Sequence, residues 1–201
     1  MKIAVFVSGR GSNLQAILNS PELKNIIEVK AVFSNKADCA AFKVAGNFSI
    51  NCYCLGNGEN QIKYNDLAGK LKELEIDLIV LAGFLKLIPD EVIKNYKLKI
   101  VNIHPALLPS FGGKGMYGIN VHKAVFDSSA KVSGATVHFA DETYDTGKII
   151  AQKCVDISDV NSPEEIAERV LEIEHKLLPF VINKIADKKV KIVNSRVVVE
   201  K

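Results

Sequence analysis

Three things are scarce in this chain. Charge of one sign is the first: 26 basic residues face 23 acidic ones, a net charge of +3 over 201 residues. So mild an excess does not make a nucleic-acid or membrane surface, though it leaves room for a local anion pocket. Cysteine is the second. Cys39, Cys52, Cys54 and Cys154 contain no C-x-x-C pair, and the one C-x-C lies inside the strand-like "INCYCL". A metal site or disulfide framework is not expected; reduced, buried thiols in a cytoplasmic protein fit better. Long apolar runs are the third. The opening "MKIAVFVSGRGSN" has an apolar run of only six residues, too short for a signal peptide, and no stretch approaches membrane-spanning length.

The composition that remains, 48% hydrophobic and 24% charged, is that of a globular protein with a full core. Short β-branched runs alternate with helical-period segments, the pattern of a parallel sheet with crossover helices. Strands are predicted at 2–7, 28–33, 50–54, 77–81 and 98–103, with helices at 13–19, 37–46, 60–74 and 89–95. A loop with four glycines between 112 and 118 follows, then a short helix at 120–128 and strands at 132–140 and 148–156 joined through "DETYDTG". A long helix opens at "SPEE" on Ser162, with an apolar seam of Ile166, Val170, Ile173 and Leu177. Pro179 is expected to kink or end that run, with helix continuing to about 187. A hairpin turning on Asn194–Ser195 completes the chain. The expected fold is a single α/β domain over 1–201: a Rossmann-like, mostly parallel twisted sheet with helices on both faces and antiparallel strands added in the C-terminal part.

Two stretches carry chemistry. In "VFVSGRGSNLQ", Gly9 and Gly11 end the first strand and a helix opens at Ser12–Asn13. A glycine turn at a helix N-terminus offers free N–H groups and a positive dipole end. A dinucleotide fingerprint would need a third glycine where Leu14 stands and an acidic residue where strand two ends in Ser34–Asn35. The loop therefore suits one phosphate better than a nicotinamide cofactor; a plain tight turn is the competing reading. In "IVNIHPALLPSF", Asn102 and His104 lie two apart on an extended segment and share a side, and Pro105 keeps His104 extended. An amide beside an imidazole can stabilise an oxyanion and move a proton; a capped strand end is the plain alternative. Asp145 sits in the later turn, where it either only shapes the turn or lies near His104 and raises its pKa toward the imidazolium. His138 reads equally as core or function, His122 as a solvated or lightly buried helix residue, and Glu174 as a solvated residue at the seam's edge unless its helix borders a polar ligand.

"SGRGSNLQAI", "AVFSNKADC", "VLAGFLKLI", "NIHPALLPSFGGKGMYG", "GATVHF" and "DTGKIIAQ" occur in this order over nearly the whole chain. Together they closely resemble the phosphoribosylglycinamide formyltransferase family of folate-dependent formyl transferases. The Asn-x-His…Asp core is shared with related transferases and hydrolases, and the glycine loop is the more specific element. The resemblance implies formyl transfer from 10-formyltetrahydrofolate to the amine of glycinamide ribonucleotide, in purine biosynthesis, with no metal. It implies catalytic roles for Asn102, His104 and Asp145, and ribonucleotide binding by Gly11, Ser12, Asn13 and Glu174. It also implies folate binding by Gln61, Leu85, Lys86, Leu87, Ile88, Asn102, Phe139, Ala140 and Asp141. Residues 1–100 would form the phosphate-binding half and 101–201 the folate-binding and catalytic half. The expected partners are small molecules, with no nucleic acid or membrane, and the expected state is a monomer or homodimer in the cytoplasm. Two departures stand out: Gly112 replaces a frequent proline, and Gln61 replaces an arginine that meets folate, a contact Lys63 could supply instead. A formyltetrahydrofolate hydrolase, a transferase for another amine and, remotely, a non-catalytic phosphometabolite-binding protein are the alternatives.

Overall fold

The protein's structure, a computed structural model, describes residues 1–200. Contacts group the chain into two compact units, residues 1–102 and residues 103 onward. The described residues form nine strands and six α-helices.

The first unit begins with β1 (Lys2–Val7), whose last five residues are fully buried. That burial explains why it reads as a continuous apolar run rather than an alternating one. β1 pairs in parallel with β2 (Glu28–Ser34) on one side and with β4 (Leu78–Leu81) on the other. β2 carries β3 (Asn51–Cys54) outward, and β4 pairs in parallel with the start of β5 (Ile100–His104). Register places Phe6 opposite Phe33 and Phe33 opposite Tyr53. Their rings stack at centroid distances of 4.8 and 5.2 Å, while Phe84 meets Phe6 edge-on at 5.3 Å. An aromatic row of this kind locks register across three strands, because a slip of one residue would turn every ring to the other face.

The helices of this unit are α1 (Ser12–Asn19), α2 (Ala41–Gly46), α3 (Leu67–Glu73) and α4 (Asp90–Asn95). Two of them start later than their sequence suggests, for local reasons. Before α2, the Cys39 thiol and the Ala41 N–H both donate to the Gly9 carbonyl, which holds 37–40 outside the helix. Before α3, Leu55 and Ile62 form a parallel bridge and Asn60 takes φ 61°, so residues 55–62 make a loop and a 3₁₀ turn at Tyr64–Asp66 leads into the helix.

The second unit contains α5 (Ile119–Asp127), β6 (Val132–Phe139), β7 (Ile149–Asp156) and α6 (Pro163–Ala186). β6 and β7 pair antiparallel, while the first unit's strands take the order β3-β2-β1-β4-β5. α6 packs on β6 and β7, burying Ile166, Val170, Ile173 and Leu177 as their spacing predicts. The helix does not end at Pro179. It runs on to Ala186, with Pro179 itself buried between Leu177, Leu178, Val181 and Ile182. Burial of those apolar neighbours outweighs the one backbone hydrogen bond that proline removes. β8 (Val190–Val193) and β9 (Arg196–Val199) form a separate hairpin. Its Asn194 and Ser195 both have positive φ, 48° and 65°, as a tight hairpin turn of this hand requires. Among the described residues, no helix is long and apolar enough to cross a membrane.

α6 owes its start to Ser162, whose hydroxyl accepts the Glu165 N–H at 3.2 Å, while the Glu165 carboxylate accepts the Asn161 N–H at 3.0 Å. Ser162→Ala should therefore lower stability by about 1 kcal/mol and Ser162→Gly by only about a few tenths. Urea-unfolding midpoints of the two variants check the difference.

Candidate active site

β5 is buried almost throughout and delivers Asn102 and His104 at its carboxyl end, on one side of the strand. Asn102 is half-buried, and His104 is 3% exposed. The turn after β6 brings the partner that sequence spacing leaves open. Asp145 Oδ2 lies 3.5 Å from His104 Nδ1 and accepts the Gly113 N–H at 2.9 Å. Its other oxygen lies 3.6 Å from His138 Nε2. The carboxylate is thus held between two imidazoles.

The far nitrogen of each ring faces a main-chain carbonyl. His104 Nε2 is 2.9 Å from the Phe111 oxygen and His138 Nδ1 is 2.8 Å from the Phe139 oxygen. A neutral imidazole has one N–H, so it can donate to only one of its two acceptors. Burial pushes the His104 pKa below its ordinary value; Asp145 and the Phe111 carbonyl oppose this without overcoming it. This corrects the expectation that Asp145 would hold His104 as the imidazolium. The carboxylate acts in the expected direction, but it sits at 3.5 Å, shared with His138, and desolvation of a nearly inaccessible ring is the larger effect. Asp145 responds oppositely. Burial would raise its pKa, but His138, His104 and the Gly113 N–H together hold the carboxyl below its ordinary value. It remains an anion.

Two backbone positions maintain this cluster. Phe111 and Asp145 have φ of 55° and 59°, a left-handed conformation uncommon for residues with side chains. Gly147 closes the turn so tightly that a Cβ there would collide with the Phe139 carbonyl oxygen. The segment after His104 is braced from β6 and β7. The Thr136 hydroxyl donates to the Ala106 carbonyl at 2.6 Å and accepts the Leu108 N–H at 3.1 Å, and Gln152 donates to both Thr136 and the Leu108 carbonyl.

The glycine loop lies in the first unit. Gly11 has φ 83°, and a Cβ on it would come within 2.7 Å of the Ala41 Cβ, so conformation and space both require glycine. No side chain caps the N-terminus of α1, Ser12 is half-buried and Asn13 is buried. In the 85–88 segment, Leu85, Lys86 and Leu87 are exposed while Ile88 is buried. Gln61 is turned into its own loop, its Oε1 accepting the Gly58 N–H at 3.0 Å. Phe139 is buried, Ala140 is half-buried, and Asp141 Oδ1 is engaged by the Thr143 N–H and the Thr146 hydroxyl. Glu174 is 9% exposed on α6, not the solvated residue its seam-edge position suggests. Among the described residues, no group of three or more His, Cys, Asp or Glu is arranged to hold a metal ion.

The structure therefore brings His104, His138, Asp145 and Gly113 together in the second unit. From the sequence His138 reads equally as a core or a functional residue, with nothing local to link it to Asp145. Its place on the buried strand β6, which runs directly into the turn that carries Asp145, is the signal that would have joined them. The Phe111 and Gly113 backbone groups leave no such signal.

An imidazole and a carboxylate brought together at the end of a buried strand suit acid–base chemistry on a small molecule, and comparison with known proteins names the class. The formyl transferase family model matches residues 1–182. The chain belongs to the formyl transferase family. Within it, its place is among the phosphoribosylglycinamide formyltransferases. It is 42% identical over 195 residues to the chloroplastic phosphoribosylglycinamide formyltransferase of Arabidopsis thaliana, covering 94% of this chain and 67% of that one. It is 37% identical over 188 residues to the phosphoribosylglycinamide formyltransferase of Bacillus subtilis (strain 168), covering 92% and 94%. The crystal structure of phosphoribosylglycinamide formyltransferase from Anaplasma phagocytophilum superposes with a TM-score of 0.89 at 29% identity, covering 100% of this chain and 95% of that one.

Buried histidines give the protein an acid limit. Burial, reinforced by His104, pushes the His122 pKa down to about 4, and its Nδ1 is buried without a hydrogen-bond partner. An unfolded histidine titrates near about 6.5. Stability is therefore complete above that pH and falls as pH drops toward about 4, because only the unfolded chain takes up the proton. His122→Gln should remove about 3 kcal/mol of that acid loss, read as a flatter denaturation free energy between these pH values.

Proposed function

We propose that this chain transfers the formyl group of 10-formyltetrahydrofolate to the amine of N1-(5-phospho-D-ribosyl)glycinamide. The products are formylglycinamide ribonucleotide and tetrahydrofolate, in de novo purine biosynthesis. The observation that carries this reading is the Asp145 carboxylate placed against His104, whose strand also presents Asn102 two residues earlier.

In this reading the ribonucleotide phosphate sits on the N–H groups of Gly11, Ser12 and Asn13 at the start of α1, where the helix dipole favours an anion. Glu174 meets the ribose hydroxyls. Leu85, Lys86, Leu87 and Ile88 line the folate pocket with Phe139, Ala140 and Asp141, and Asn102 borders it. Gln61 contributes through its amide nitrogen, since its carbonyl oxygen is held by Gly58, with Lys63 as the alternative cation. The expected division of labour does not hold in this reading: residues 1–100 carry the phosphate loop and part of the folate pocket, and residues 101–201 carry the chemistry, the rest of that pocket and the ribose contact. All four cysteines are free, but only Cys39 is buried, against the expectation of buried thiols: Cys54 is half-buried and Cys52 and Cys154 are exposed. Free thiols open to solvent suit a reducing compartment, and we place the enzyme in the cytoplasm; the Arabidopsis relative is named as chloroplastic.

For the reaction, the amine attacks the formyl carbon and negative charge develops on the formyl oxygen. The Asn102 amide donates to that oxygen. His104 donates through Nε2, exchanging the Phe111 carbonyl for the oxyanion. An approaching negative charge raises the imidazole's proton affinity, so His104 takes up a proton from solvent, and Asp145, already anionic, stabilises the resulting imidazolium; that proton returns to solvent when the intermediate collapses. Asp145 also orders the proton's passage from the attacking amine to N10 of the leaving tetrahydrofolate. No covalent enzyme intermediate is required.

Asn102→Ala and Asp145→Asn should each lower kcat by about 10²–10³, as loss of a transition-state hydrogen bond does. Losses below about threefold would strip these residues of their catalytic roles. The assay that decides the reaction mixes protein with 10-formyltetrahydrofolate, with and without the ribonucleotide. Turnover that needs the amine supports the transferase, and turnover without it supports a hydrolase.

A further inference from the structure

In the first unit the chain goes from β1 outward through β2 to β3, then returns to the other side of β1 for β4. Strand order reverses there, so the loops leaving the carboxyl ends of β1 and β4 run in opposite directions and open a crevice between them. Ser8 stands at this point, one residue past β1 and 3% exposed. Its N–H donates to the Gly83 carbonyl at 3.0 Å. Its hydroxyl donates to Asn35 Oδ1, just after β2, at 2.6 Å and accepts the Leu85 N–H at 3.0 Å. A serine has one O–H to give. Spending it on Asn35 points a lone pair at Leu85, so the hydroxyl holds the ends of three strands in one fixed arrangement.

The two segments it joins are the glycine loop, which begins with the next residue, and the 85–88 segment, whose Leu85 and Leu87 are exposed. If the chain is the transferase proposed for it, these segments bind the ribonucleotide and the folate, and the inference rests on that reading. We propose that Ser8 is a positioning residue that couples the two: through its hydroxyl, occupancy of the glycine loop fixes the Leu85 segment and so tightens binding of the second substrate. The Gly83 contact runs through the Ser8 backbone and survives any substitution. Removing the hydroxyl alone releases the Leu85 N–H and Asn35 while the loops stay tethered.

The test uses titration calorimetry on the full chain, with the ribonucleotide and with tetrahydrofolate as the non-reactive folate. Each is titrated alone and in the presence of the other. In the unsubstituted protein the first ligand should tighten the second by about 5-fold or more, within the range usual for coupled sites. In Ser8→Ala that factor should fall to about 1, while each ligand alone still binds, and Ser8→Thr should restore it. Asn35→Ala frees the hydroxyl to turn away from Leu85 and should reduce the factor in the same way; it gives the reading if Ser8→Ala does not fold. A factor unchanged in these variants, with only the melting temperature lowered, would make Ser8 merely structural and overturn the proposal. So would the absence of coupling in the unsubstituted protein. Failure of the unsubstituted protein to bind either ligand alone overturns the functional reading itself, which separates the two failures.

Discussion

β1 is hydrogen-bonded in parallel to a strand on each side, and the polar architecture of the first unit follows from that. Parallel neighbours cannot be joined by a tight turn, so each strand must leave its carboxyl end through a loop and return by a crossover. β1, β2 and β4 therefore release Ser8, Asn35 and the Gly83–Leu85 backbone at one edge of the sheet, where their polar groups satisfy one another. The stacked row of Phe6, Phe33 and Tyr53 holds the register that brings those ends level. An apolar constraint inside the sheet thus sets a polar geometry at its rim.

In the second unit the corresponding constraint is a buried charge. A carboxylate removed from water must find donors or lose its charge. Asp145 finds a main-chain N–H and two imidazoles, and stays ionised. The histidines are constrained in return, because each also faces a carbonyl. His104 accordingly rests below its ordinary pKa, in a site where a new negative charge would shift the balance toward protonation. That resting state differs from a histidine held permanently charged by its aspartate.

Much of this was legible in the chain before folding. Strand and helix boundaries fall within one or two residues wherever apolar periodicity governs, as in β1, β6, β7 and α6. They miss where a non-local contact overrides it. α2 is shortened by the tie of Cys39 and Ala41 to Gly9, and α3 by the bridge between Leu55 and Ile62. Pro179 was expected to disturb α6, and apolar burial on both sides of it carries the helix through. The sharing of a face by Asn102 and His104 was legible because it depends only on the two-residue period of an extended chain.

What the sequence by itself determined is local or chemical in kind: the order of strands and helices, the glycine loop at the head of α1, and the side chains able to donate, accept or ionise. Tertiary structure alone decided how those side chains behave. The link between Ser8 and Leu85 joins residues 77 positions apart, and the Gly113–Asp145 bond spans 32. The charge state of His104 depends on how far water is excluded and on how many groups share one carboxylate. Both are properties of packing, and neither spacing nor composition encodes them, because desolvation is set by everything that surrounds a group in the folded chain.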